Sequence, residues 1–296
     1  MEAISVIYLN HFNSQVSRER VCYELTMLSK LLNVDHINDI DWSTFGRAEV
    51  LAMTSTDSFR SKRPNSQNFT LRILKGLCHE AYLTGQMPQS NYAAIMSIRS
   101  IRGRRTSARP VPEKDEILNI MACCETDGII GTRDAAMISA ALGCGLRRTE
   151  IADLRCREID FEQCCLRIVG KGNKERLVFF CDIVAEKLEA WNRIRGLAGG
   201  TYFFVPIHKT GRILFERHMS DETVYQIIRR RSLAAIQHPV APHDCRRFFA
   251  SQLLDESVDI NTVRLAMGHS DIRTTQIYDK RDETERLKRL SAISML

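Results

Sequence analysis

Several features are missing from this 296-residue chain, and each absence excludes a class of chemistry. No stretch approaches the roughly 20 uninterrupted apolar residues that a membrane span needs. The opening residues, MEAISVIYLNHFNSQVSRER, have no basic start followed by a long apolar run, so no secretory signal is expected. The ten cysteines form neither a CxxC pair nor a Cys/His zinc spacing. Free thiols in a reducing cytosol are the expectation, most of them acting as small core residues. There is no Gly-rich phosphate loop and no evident pair of metal-binding carboxylates. The sequence therefore predicts chemistry carried by side chains alone, with no metal and no cofactor.

Acidic residues are also scarce where basic ones gather. Between Phe59 and Pro110 lie Arg60, Lys62, Arg63, Arg72, Lys75, Arg99, Arg102, Arg104, Arg105 and Arg109, against Glu80 as the single acid. This segment carries +9 in a chain whose net charge is +6, so the remainder nets −3. Such an excess repels itself unless an anion shares the load. A phosphate backbone is the partner this pattern fits.

A chain of this length can build two modest domains, each with its own core. Apolar content of 44% and charged content of 26% suit a globular protein. Val21, Leu25, Leu28 and Leu32 recur at helical spacing after Ser17, which reads as an N-cap. Ile73, Leu74, Leu77, Cys78 and Ala81 form a second stripe, ended by Gly85. Arg72 and Lys75 fall off that stripe and can face a ligand. Residues 1–101 thus read as a small all-helical domain. Residues 102–111 have no apolar period and read as a basic linker. Beyond Pro112, helices are expected at Ile117–Met121, 133–142, 149–154, 221–233, 244–254, 259–267 and 271–279. Strands at 166–169 and 177–180 flank a turn rich in Gly and Asn, making a β-hairpin. Leu287, Leu290, Ile293 and Leu296 give the end of the chain an apolar stripe.

Six residues in this second domain could act together on phosphate. Arg147 follows two glycines in GCGLRRTEIADL, at a helix start where an arginine fork and backbone N–H groups can meet an anion. Glu150, one turn on, can orient it. Lys171 lies at the hairpin tip in GKGNKER, with Lys174 as its nearby competitor. His243 and Arg246 are three apart and share a helix face in PHDCRRF. His269 follows Gly268, which reads as a helix C-cap, in AMGHS. Tyr278 lies in TTQIYDK. A phenol of pKa about 10 is a poor nucleophile unless charge and hydrogen bonds stabilise its oxyanion and the group it attacks.

In that order, these motifs resemble the tyrosine recombinase family, also called phage integrases, and most closely its Xer-like members. The resemblance covers nearly the whole chain, and all six positions match. It implies that Arg147, Lys171, His243, Arg246, His269 and Tyr278 are catalytic, with Glu150 supporting. It implies a mainly α fold with a small β-sheet: a SAM-like core-binding domain (1–101) and an α/β-containing catalytic domain (112–296). These would form a C-shaped DNA clamp. Arg60, Lys62, Arg63, Arg72, Lys75, Arg102, Arg104, Arg105 and Lys174 are the expected DNA contacts. The implied partner is double-stranded DNA bearing specific recombination sites. The protein is expected as a homo-tetramer on paired sites, and as a monomer or dimer on single ones. A tail helix at about 284–296 would be exchanged between subunits, and an accessory directionality protein would be compatible. Cytoplasmic, nucleoid-associated work with no membrane contact follows. Integration, excision or resolution of a mobile element or replicon are the implied roles. A type IB topoisomerase and a catalytically silent DNA-binding regulator are the rival readings. Arg148, Arg247 and Met267 depart from the family's more usual aliphatic residue, histidine and leucine at motif-neighbour positions.

Overall fold

The computed structural model describes residues 3–103, 111–170, 174–196 and 200–279, with Lys174 described for its backbone alone. Two compact units emerge, Met1–Ala108 and Arg109–Leu296. Among the described residues no helix is long and apolar enough to cross a membrane.

The first unit is helical: α1 (Ile4–Asn10), α2 (Gln15–Leu32), α3 (Arg47–Ser55), α4 (Asp57–Arg60), α5 (Pro64–Leu83) and α6 (Gln89–Met96). The residue capping α2 is Ser14, not the expected Ser17: its hydroxyl accepts the Ser17 N–H at 3.1 Å. Two serines three apart can each cap a helix, and here the upstream one does so. Proline opens α5 at its first turn, where its missing N–H costs nothing. Leu71, Leu74, Leu77, Cys78 and Ala81 then turn one stripe of α5 into the unit's core, packing on α1, α2 and α6. Gly85 lies two residues past the helix end with φ +72°. The short helices α1, α3, α4 and α6 were not legible as periodic stripes, because each presents only one or two core residues.

The second unit is built around α8 (Gly128–Gly143), a helix buried almost all round. Around it pack α7 (Lys114–Glu125), α10 (Asp182–Arg195), α11 (Asp221–Ile236) and α12 (Pro242–Asp255). Between them come α9 (Arg148–Asp153) and a three-stranded antiparallel sheet in the order β1 (Ile159–Asp160), β2 (Cys165–Gly170), β3 (Lys174–Phe179). The expected hairpin is β2–β3, with β3 three residues earlier than the apolar run suggested. Its ladder closes with Gly170 opposite Lys174. Asp134, fully buried on α8, is satisfied by Arg133, Arg230 and Arg231, which ties α8 to α11. The unit's described part ends with α13 (Ile260–Met267) and α14 (Ile272–Gln276). These join α12 through a separate cluster of Ala250, Leu254, Val263, Met267 and Tyr278. The expected tail helix at about 284–296 and linker residues 104–110 lie outside the described residues.

Candidate active site

Two glycines in the left-handed region organise the site. Gly145 (φ +59°) follows α8, and Gly268 (φ +59°) ends α13. A side chain at Gly145 would strike the Phe249 ring at 2.4 Å, and one at Gly268 would press on the Arg176 guanidinium at 3.1 Å. Glycine meets both the conformation and the close approach. Each also turns its carbonyl toward an arginine. Arg246 on α12 donates to Gly145 O and to Met267 O. Arg147, the N-cap of α9, donates to Gly268 O at 3.0 Å. The two arginines are thereby drawn to one backbone corner across 99 residues of sequence.

Glu150 holds Arg147 twice: Oε1 accepts Nη1 at 2.6 Å, and Oε2 accepts the backbone N–H at 2.8 Å. A second fork reaches the same carboxylate from β3. Arg176 donates Nη1 to Oε1 at 3.0 Å and Nη2 to Oε2 at 2.8 Å. Burial works against the Glu150 charge, yet the hydrogen bonds and charges of Arg176 and Arg147 hold its pKa below the ordinary value. Arg246 is only 3% exposed and donates to carbonyls instead of a carboxylate. Burial and then the nearby Arg147 lower its pKa to about 10, so it stays protonated at neutral pH. A buried cation of this kind gains greatly from an arriving anion.

Tyr278 packs against this corner, 8% exposed. Its ring centroid lies 6.1 Å from that of His269 and 6.5 Å from that of His243. Burial raises the phenol pKa, opposed by Arg246, Arg247 and Arg147. His243, at the exposed start of α12, is held below its usual value by desolvation and by Arg246 and Arg247, against Asp244. His269 is pushed down to about 4, by desolvation first and then by Arg246, Arg147, His243 and Arg176. Both imidazoles are therefore neutral at pH 7. Thr275, fully buried, places its hydroxyl 2.9 Å from His269 Nδ1, and its carbonyl accepts the Tyr278 N–H at 3.0 Å. That one threonine links the histidine to the tyrosine.

Arg147 lines two clefts. One, of about 820 Å³, runs past Arg155, Arg157 and Tyr202 to Gly170. The other, of about 560 Å³, includes Arg176, Gly268, His269 and also Gly170. Lys171 follows Gly170 in sequence but lies outside the described residues, as do Arg104 and Arg105. Among the described residues no three His, Cys, Asp or Glu side chains gather as a metal site.

Residues 111–285 match the model of the phage integrase family. The chain belongs to that family of tyrosine recombinases. The tyrosine recombinase XerC of Xanthomonas campestris pv. campestris is 34% identical over 245 residues, covering 82% of this chain and 72% of its own. XerC of Chromohalobacter salexigens is 29% identical over 260 residues, covering 88% and 83%. Among solved structures, the Tn1549 transposon integrase with a circular intermediate DNA aligns at a TM-score of 0.72. That match has 13% identity over 99% of this chain and 100% of that one. A lambda integrase dimer bound to a COC′ core site aligns at 0.71, with 16% identity over 94% of each chain. At such identities the solved structures establish the fold, mainly helical with a small sheet. Breaking and rejoining DNA strands is the recombinase's reaction class.

Five of the six residues singled out from sequence, Arg147, His243, Arg246, His269 and Tyr278, fall in this one corner, with Glu150 beneath them. In the first unit of the recombinase, Arg60, Arg63, Arg72 and Arg102 are exposed. Lys62 is within 3.9 Å of Glu24, itself buried against Thr70. Lys75 is engaged inside its own unit: its ammonium donates to Met96 O at 3.1 Å and to Ile98 O at 2.6 Å. Arg72 and Arg20 instead lie over the Phe69 ring, 5.0 and 4.5 Å from its centroid, in a cleft of about 490 Å³ with Arg99.

Two residues escaped the sequence reading, Arg176 and Thr275. Strand alternation could have found the first. Val178 is an inward residue on β3, so Arg176, two before it, shares its face. Thr275 precedes Tyr278 by three, one helical turn.

Proposed function

We propose that this recombinase cuts and rejoins double-stranded DNA at specific sites through Tyr278, acting within its own subunit. The observation that carries the reading is the seating of Tyr278. It packs on α12 and α13 of its own chain, beside two neutral histidines and two converging arginines.

In this reading a scissile phosphate enters beside Arg147 and Arg246, whose remaining N–H groups clamp its nonbridging oxygens. Tyr278 Oη forms a bond to phosphorus as the bond to the 5′-oxygen breaks, leaving a 3′-phosphotyrosine. The raised phenol pKa means that a base must take its proton, and neutral His243 serves as acceptor. Lys171 gives a proton to the departing 5′-oxygen. His269, its Nδ1 held at Thr275, presents Nε2 to the phosphoryl group. Rejoining reverses these steps with a new 5′-hydroxyl. The bond energy is kept in the covalent intermediate, so no ATP is consumed.

The first unit and the basic linker serve as DNA-binding elements, with Arg60, Arg63, Arg72 and Arg102 as exposed phosphate contacts and Arg104, Arg105 and Lys174 as further ones. The working assembly is a monomer or dimer on one site and a tetramer on two, proceeding through a Holliday junction. Integration, excision or resolution of a mobile element or replicon fits this chemistry. The lambda integrase neighbour, solved as a dimer on a core site, is consistent with the single-site stage.

The test uses a duplex selected by the protein from a random-sequence library and nicked so that a cleaved strand diffuses away. Wild type is expected to accumulate covalent protein–DNA complex. Tyr278→Phe should bind the same duplex and accumulate none. Covalent complex formed by the phenylalanine variant, or none formed by wild type, rejects the assignment.

A further inference from the structure

Three arginines meet the C-terminal end of α13. Arg176 Nε donates to Ala266 O at 3.0 Å, Arg246 Nη2 to Met267 O, and Arg147 Nη2 to Gly268 O at 3.0 Å. The last carbonyls of a helix lack intrahelical partners and carry the negative end of its dipole, so they attract cations. Two of these arginines are the ones assigned to the phosphate. The third has no role in the scheme above. It lies on β3, with its side chain about 10% exposed.

Arg176 also closes a fork on Glu150, at 3.0 and 2.8 Å, while Glu150 receives Arg147 at 2.6 Å. One carboxylate therefore joins β3 to α9, and the Nε bond of Arg176 adds α13. Gly268 packs on the same guanidinium so closely that a β-carbon there would sit 3.1 Å from Nη1. His269 is the next residue. We propose that Arg176 is a positioning residue for DNA cleavage: bound to Glu150 and to Ala266 O, it holds β3, the Arg147 helix start and the His269 turn in one arrangement. The proposal rests on the recombinase reading of the site.

The planar fork matters as well as the charge. A carboxylate bound in parallel by two N–H groups is fixed in orientation, whereas an ammonium offers a point charge and no fork. Lysine at 176 would keep the cation and lose one or more of the three bonds. The residue touches no reacting atom in the proposed scheme, so its loss acts through the placement of Arg147 and His269. Small misplacement of reacting groups costs about a hundredfold in rate.

The test is single-turnover cleavage of the selected, nicked duplex by the full chain, followed against protein concentration. Arg176→Lys and Arg176→Gln are expected to lower the maximal rate about a hundredfold while the half-saturating concentration stays unchanged. The double variant Arg176→Gln/Glu150→Gln should lose less than the sum of the two single losses, since both residues act in part through one carboxylate. If the glutamine variant does not fold, judged by circular dichroism, the lysine variant decides. Unchanged maximal rates, fully additive losses, or a loss explained entirely by weaker binding would each overturn the role. Wild type that forms no covalent complex rejects the recombinase reading itself. Wild type that cleaves no faster than the Arg176 variants rejects only the positioning role.

Discussion

His269 carries two demands that oppose each other. In the proposed mechanism it lies among cations to reach a phosphate and stays neutral to keep a usable ring. Burial and the arginines satisfy the second by pushing its pKa down to about 4 from the ordinary 6.5. Between those values the unfolded chain binds a proton at this ring and the folded chain does not. Stability contributed by His269 is therefore complete above about 6.5 and is lost as pH falls toward 4. Urea midpoints measured from pH 7 to pH 4 should drop more steeply for wild type than for His269→Gln. Equal slopes would show that the ring is not held neutral. Gly145 gives a second test at this scale. Alanine there takes a left-handed conformation and collides with Phe249, costing about 1–3 kcal/mol. It also displaces the carbonyl that Arg246 holds. Gly85 has φ +72° and open space around its β-carbon position. Gly85→Ala should lower the urea midpoint without slowing cleavage, whereas Gly145→Ala should do both.

Among the elements, the packing of α1 on α5 shows how a local preference is overruled. Gly76 lies inside α5, where alanine is the better helix former by about 1 kcal/mol. A β-carbon at 76 would stand 2.3 Å from the Tyr8 ring of α1. Overpacking of this kind costs about 1–3 kcal/mol and exceeds the gain in propensity. Gly76→Ala should therefore destabilise the first unit, read as a lower urea midpoint by Trp42 fluorescence in a Trp191→Phe background. A higher midpoint would mean that α1 yields readily. The hairpin poses the converse case. Leu177 and Phe179 looked like the heart of the second strand, but both are exposed, and Val178 with Arg176 faces inward. The apolar run located the strand and misplaced its start, because an outward apolar residue is indistinguishable from an inward one in a single sequence.

Across the whole molecule, each unit has one tryptophan in its main core: Trp42 is 4% exposed in the first, and Trp191 is fully buried in the second. Single-tryptophan variants should therefore report separate unfolding transitions, with different midpoints when a unit-specific mutation such as Gly76→Ala is added. Coincident midpoints under that mutation would show that the units unfold as one. Charge is unevenly spread along the chain as well. If the basic segment contacts DNA phosphates, the logarithm of affinity should fall with the logarithm of salt by about 0.9 for each contact. Arg60→Gln, Arg63→Gln and Arg72→Gln should each flatten that dependence, whereas Lys75→Gln should not, its ammonium being engaged with Met96 and Ile98. An equal change for Lys75→Gln would place its side chain on DNA after all.

The sequence by itself determined the residue types, their order and much of the helix placement. Arg147, His243, Arg246, His269 and Tyr278 stand in short motifs whose local geometry is set by neighbours: a glycine before a helix start, a proline at a first turn, a glycine at a helix end. Such features depend on backbone conformation within a few residues, so they are legible in one dimension. Only the tertiary structure decided which groups meet. Arg176 reaches Glu150 across 26 residues and Arg246 reaches Gly145 across 101. Neither pairing leaves a periodic trace, because hydrogen bonds between distant segments depend on how helices and strands pack and not on spacing along the chain. The same packing took Lys75 from the surface to a carbonyl cap, and it seated Tyr278 on its own domain beside two histidines that burial and charge keep neutral.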